Sequence, residues 1–177
     1  MKKQSIRAHM SRYRIHAKRS TTISHAFASA MAPIDVYDES KVDEVLNQLG
    51  CVREGKIFCV YCGEREAQTW DHLFALVKDS DPSGHGHTYG NLVPACKDCN
   101  SIKGNKDWRA ANMLINRERP AQLEIVERVV GQHVLNFPFV GVTLRPELVA
   151  QLKEIKAEIM DLMKRADELV ASSLRST

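Results

Sequence analysis

The chain has 177 residues, of which 44% are hydrophobic and 27% charged, and its formal net charge is +3. That suits one domain of ordinary size, or a small core with extensions, and excludes the charge-swollen composition of a disordered chain. No apolar run approaches the ~20 residues of a membrane-crossing helix, so no membrane partner of that kind is expected.

Taken in order, residues 1–25 carry Lys2, Lys3, Arg7, Arg12, Arg14, Lys18 and Arg19 and no acidic residue, which puts +7 on this arm and −4 on the rest. A basic arm on a mildly acidic body suits a polyanionic partner, with Arg12 and Arg14 as candidate contacts. A solvated tail is the plainer alternative. The arm lacks the apolar stretch of a secretory signal; its Arg- and Ser-rich, acid-poor composition also fits a transit peptide. Ser20 to Ala32 reads as a short helix stopped by Pro33. Ser40 is placed to cap a helix bearing Val42, Val45, Leu46 and Leu49, with Gly50 at its C-terminal end.

Lys56 to Tyr61 and Gln68 to Leu73 read as short strands. Lys78 to Gly90, with Pro82 and three glycines, reads as a loop. A helix is expected from Cys96 to about Lys103, and a second, capped by Asn105 or Asp107, holding Trp108, Met113 and Leu114. Ala121 to Val134 is amphipathic through Leu123, Val126 and Val130, and Phe137-Pro138-Phe139 then leads through a loop or strand to Pro146. From there Leu148, Leu152, Ile155, Ile159, Leu162, Ala166 and Leu169 recur at alternating spacings of four and three. That is a heptad seam on a helix of about 25 residues, roughly 37 Å long. The seam offers a contact face for a homodimer or for the chain's own core, and spacing does not choose between them.

The cysteines organise the middle. Cys59/Cys62 and Cys96/Cys99 are two Cys-x-x-Cys pairs separated by 33 residues, Gly63 to Ala95. Four thiolates at this spacing predict a closed, structural Zn²⁺ site, and argue against a secreted disulfide framework. Cys51 is left over and reads as a small buried apolar residue. The pairs clasp an insert, and the insert carries the groups suited to chemistry: Asp71-His72, Asn91 and, just after the last cysteine, Asn100.

Cys59-Val-Tyr-Cys62, Trp70-Asp71-His72-Leu73, Gly90-Asn91-Leu92-Val93-Pro94-Ala95-Cys96 and Cys99-Asn100-Ser101-Ile102-Lys103-Gly104-Asn105-Lys106 together resemble the HNH endonuclease family. The likeness covers residues 56–110, and Asn100 stands where the family's final histidine gives it its name. It implies an α+β protein with a ββα-metal core. The organisation expected is a basic arm and helices over 1–55, the nuclease core over 56–115 and a helical region over 116–177. It also implies a bacterial or phage-encoded cytoplasmic protein whose partner is DNA.

The roles follow from the resemblance and from the chemistry of phosphodiester hydrolysis. His72 is the candidate general base, activating water. Asp71 and Asn100 offer oxygen ligands to a catalytic Mg²⁺ or Mn²⁺ that relieves charge at phosphorus and on the departing 3′ oxygen. Asn91 braces the loop and orients the base. Adjacent strand residues point to opposite faces, so the strand has to bend or end at Asp71-His72 for both to reach one site. Lys103, Lys106 and Arg109 recur at helical spacing behind Asn100 as candidate phosphate contacts, and His85 and His87 lie in the loop beside it. The alternative is a catalytically inactive zinc module that binds nucleic acid, which would need neither His72 nor Asp71.

Overall fold

The computed structural model describes Ile6, residues 10–137 and residues 141–173. Lys2, Lys3 and Arg7 of the basic arm, and Pro138 and Phe139 of the step after the amphipathic helix, lie outside the described residues. The chain forms two compact units: residues 1–27 with 145–177, and residues 28–144. The second unit holds the whole of 56–115. The fold is a mixture of helices and small antiparallel sheets, an α+β arrangement. No helix among the described residues is long and apolar enough to cross a membrane.

In the first unit, α1 (Ile15–Met31, which runs on into the second unit) begins five residues before the expected Ser20. The cause is distant in sequence. Asp167, on the C-terminal helix, accepts hydrogen bonds from the backbone N–H groups of Ile15 and His16 at 2.7 and 3.0 Å. Those are orphan donors that otherwise need a local cap. Arg12 donates to the Val170 carbonyl at 3.2 Å, so this end of the arm is tied down while Arg12 and Arg14 remain exposed. The long C-terminal helix spans Pro146–Ser173. Its strict seven-residue line stays uncovered: Leu148, Ile155, Leu162 and Leu169 are 37%, 46%, 58% and 71% exposed.

The second unit has its core in Val45, Leu46 and Leu49 of α2 (Glu39–Leu49), Tyr61, Leu73, Val93, Trp108, and Val126 and Val130. Asp38 caps α2, not Ser40. Its carboxylate accepts from the Ser40 N–H at 2.9 Å and from the Ser40 hydroxyl at 2.7 Å, so Ser40 is the cap's partner. Gly50 ends the helix at φ 59°, a left-handed conformation that glycine adopts without a Cβ clash. Cys51 is buried as expected, and burial pushes its thiol up to about 11.

Two residues on each side make the β1–β2 hairpin (Val52–Arg53, Lys56–Ile57), shorter than the strand expected to Tyr61, because Val60 to Cys62 turn into the cysteine knuckle. β3 (Thr69–His72) pairs antiparallel with β6 (Leu92–Ala95), Asp71 facing Val93 and His72 facing Leu92. Between them, the expected loop contains a two-residue hairpin, β4 (Val77–Lys78) with β5 (Asp81–Pro82). It turns on Asp79 and Ser80, both at positive φ, the conformation tight hairpins require.

Three helices complete the unit: α3 (Lys97–Lys103), α4 (Trp108–Ile115, capped by Asp107) and α5 (Pro120–Asn136). On α4, which holds Trp108, Met113 and Leu114 as expected, Met113 and Leu114 are exposed. The helix turns Trp108, Ala111 and Asn112 inward.

Candidate active site

Four sulfur atoms close the frame. Cys59 and Cys62 sit in the turn after β2; Cys96 precedes α3 and Cys99 lies in its first turn. All four are buried and their sulfur atoms lie within 4.8 Å of one another. A tetrahedron of thiolates at about 2.3 Å from Zn²⁺ has S–S edges of roughly 3.8 Å, so a small inward movement suits the quartet to zinc. The Cys99 thiol and backbone N–H groups of Cys62, Cys96 and Tyr61 hold the Cys59 thiol down at about 5, while the same contact pushes Cys99 up and burial raises Cys96, so zinc has to displace the protons the quartet shares.

With both ends of the insert fixed, β3 presents two faces. Thr69 and Asp71 look towards α3; Trp70 and His72 look away. On the α3 side, Asn100 donates from Nδ2 to Thr69 Oγ1 at 2.9 Å. Asp71 is buried, and its carboxylate accepts from the Tyr61 hydroxyl at 2.6 Å. Lys103, 0% exposed, places its ammonium 3.3 Å from the same carboxylate and donates to the His72 carbonyl at 2.6 Å. Burial raises the Asp71 carboxyl against the pull of Tyr61 and Lys103.

On the other face, His72 Nε2 lies 3.0 Å from His87 Nδ1, and His87 Nε2 lies 3.0 Å from Ser29 Oγ. Burial, then the neighbouring His87 and Lys103, hold His72 down at about 4, so it is neutral at neutral pH. Asn91 holds the loop between the strands. Its Oδ1 accepts from the Phe74 N–H at 2.8 Å, and its Nδ2 donates to the Phe74 and Gly86 carbonyls. Gly86 lets that loop lie directly on Pro33, because a Cβ there would come within 2.0 Å of the Pro33 carbonyl oxygen. His85, which stacks on Phe74, does not reach His72 through any described contact.

The structure therefore gathers Asp71, Asn100 and Lys103 on one side of β3, and His72 with His87 on the other. β3 ends at His72, but pairing in register to its last residue keeps Asp71 and His72 apart. Asp71 and Asn100 supply the oxygen chemistry of a hard cation. The charge balance does not fit one while Lys103 neutralises Asp71. Lys103 is thereby removed from the exposed phosphate contacts. Lys106 and Arg109 stay exposed, Arg109 stacking 4.4 Å from the Trp108 ring centroid.

Two partners escaped the sequence reading. Ser29 gave no signal. Lys103 gave one: it lies four residues after Cys99, hence on the helix face that the metal clasp turns inward. Lys103→Met is expected to strand the Asp71 charge and cost about 3–5 kcal/mol of stability, as breaking a buried pair does. Urea unfolding of the zinc-loaded protein measures it; an unchanged midpoint would refute the pairing.

Residues 59–106, about a quarter of the chain, match the family model described as HNH endonuclease. No curated protein and no solved structure gives a significant match.

Proposed function

We propose that residues 56–115 are the core of a DNA endonuclease in which His72 takes the proton from an attacking water. The observation that carries this reading is the His72–His87–Ser29 chain, lying within and beside a stretch that matches the HNH endonuclease model. With His87 donating from Nε2 to Ser29 and accepting at Nδ1 from His72 Nε2–H, the His72 ring keeps Nδ1 as its basic atom. Water gives its proton to that nitrogen, its oxygen bonds to phosphorus and the P–O3′ bond breaks. The departing oxygen is protonated from solvent, leaving a 5′-phosphate and a 3′-hydroxyl.

A Mg²⁺ or Mn²⁺ held by Asp71 and Asn100, the ligands the resemblance implies, would supply charge relief at phosphorus once Lys103 leaves Asp71 and the end of β3 turns His72 towards the same phosphate. It competes with Lys103 for Asp71. That competition also favours a second reading, a zinc module that binds nucleic acid without cutting it. Plasmid nicking with added Mg²⁺ or Mn²⁺ separates the two: supercoiled DNA stays intact at every metal concentration if the module is silent.

Lys106 and Arg109 beside the core, and Arg12 and Arg14 on the first unit, are the proposed phosphate contacts. Each one neutralised is expected to flatten the log affinity–log salt slope by about 0.9 on duplex DNA. A double Lys106→Gln/Arg109→Gln variant with the wild-type slope would return both to a solvated surface.

The uncovered line Leu148–Ile155–Leu162–Leu169 is the proposed contact face of a homodimer, which would supply a second site for the second strand. Sedimentation equilibrium is expected to give a dimer for the wild type and a monomer for Ile155→Asp/Leu162→Asp. A wild type that is monomeric at micromolar concentration would leave a nicking enzyme.

A further inference from the structure

An open cavity of about 380 Å³ lies beside the His72–His87 pair, walled in part by Asp35, Tyr37, Trp70, His87, Tyr89 and Leu92. We propose that it receives one unpaired nucleobase, so that the protein engages bulged, branched or single-stranded DNA in preference to continuous duplex. This rests on the nuclease reading given above and specifies its substrate.

Three observations point to a base. The first is placement. Trp70 precedes His72 by two residues on β3, so both rings stand on the same face about 7 Å apart along the strand. Leu92 is the residue paired with His72, and His87 both lines the cavity and touches His72. A nucleotide with its phosphate at His72 therefore has the cavity within its own reach.

The second is surface chemistry. Trp70 is 44% and Tyr37 77% exposed, two aromatic faces open to solvent at the edge of a largely apolar hollow. Flat π-faces of this kind stack on any base without reading its sequence. Asp35 adds a negative charge to the wall, which repels phosphate. The hollow thus admits the base and keeps the backbone outside.

The third is rigidity. Asp35 N–H donates to the His87 carbonyl at 3.1 Å, and His87 N–H donates to the Pro33 carbonyl at 2.8 Å. Tyr89 donates from its backbone N–H to Asp35 at 2.9 Å and from its hydroxyl to the Val36 carbonyl at 3.0 Å. The walls are pinned to each other before any ligand arrives, so little ordering is left for binding to do. In continuous duplex every base is paired and stacked, and only a base already outside the stack enters without breaking those contacts.

The test is equilibrium binding of the zinc-loaded full chain, without added Mg²⁺ or Mn²⁺, to four DNAs. These are a continuous duplex, the same duplex with a one-nucleotide bulge, the bulge with its base removed, and a single strand. Removing the bulged base is expected to weaken binding about 5- to 150-fold, the range for one base stacked on an aromatic side chain. Trp70→Ala and Tyr37→Ala should lose a comparable factor on the intact bulge, bind the abasic bulge and the duplex as the wild type does, and keep their zinc. The proposal is overturned if the abasic bulge binds as tightly as the intact one, or if both variants match the wild type on it. A protein that binds duplex and bulge alike, and nicks both once Mg²⁺ or Mn²⁺ is added, loses the base pocket and keeps the nuclease reading. One that binds none of the four loses both.

Discussion

Replacing Cys59 or Cys96 by serine is expected to release the metal and unfold the core around β3, β6 and α3. The reason lies in what the quartet holds together. β3 and β6 are four residues each and α3 is seven, lengths that bury too little to be stable alone. The Cys59–Cys62 turn and the start of α3 are joined by the four sulfurs, so metal binding is itself folding energy, about 10–16 kcal/mol for structural zinc sites at neutral pH. Elemental analysis should find about one zinc per wild-type chain and none in the variants, and circular dichroism should show the loss of structure. Active wild-type protein without zinc would refute the clasp.

The second large effect is on cutting. His72→Ala is expected to keep its fold and its zinc and to lose about 10²- to 10⁴-fold in nicking rate, the usual contribution of a positioned general base. The side chain is half-buried at the end of β3, and its removal leaves Tyr61, Leu73, Val93 and Trp108 packed as before. The loss should therefore appear in the rate and not in the unfolding midpoint. A folded His72→Ala protein that nicks at the wild-type rate would remove His72 from the chemistry.

What the sequence disclosed and what it hid divide by range. The cysteine quartet, the β3–β6–α3 arrangement and the α+β class were legible because spacing and short-range pattern determine them. The start of α1 was not, because its cap, Asp167, stands 152 residues away from Ile15 in the chain. The hairpin at Asp79-Ser80 was hidden by its turn residues, which reach positive φ without the glycine that advertises such turns. On α4 the apolar letters do not mark the buried face. Met113 and Leu114 are the residues a pattern would bury, yet the helix buries Asn112, and Asn116 just beyond it donates to the Tyr61 carbonyl. His72 and Asp71 read as neighbours converging on one point, and only the observed pairing of β3 through its last residue sets them on opposite faces.

Lys103 gives the protein an internal counterion. A carboxylate sealed beneath a helix without a partner would be a standing penalty whenever divalent metal is scarce, and the chain would then fold only where metal is plentiful. With the ammonium 3.3 Å away, Asp71 is neutralised from the moment the zinc-clasped core closes, with no second metal needed to complete the interior. If Mg²⁺ or Mn²⁺ binds at Asp71 as proposed, the same arrangement sets a toll on it: the apparent affinity would be the intrinsic one scaled by the fraction of molecules in which Lys103 has left the carboxylate.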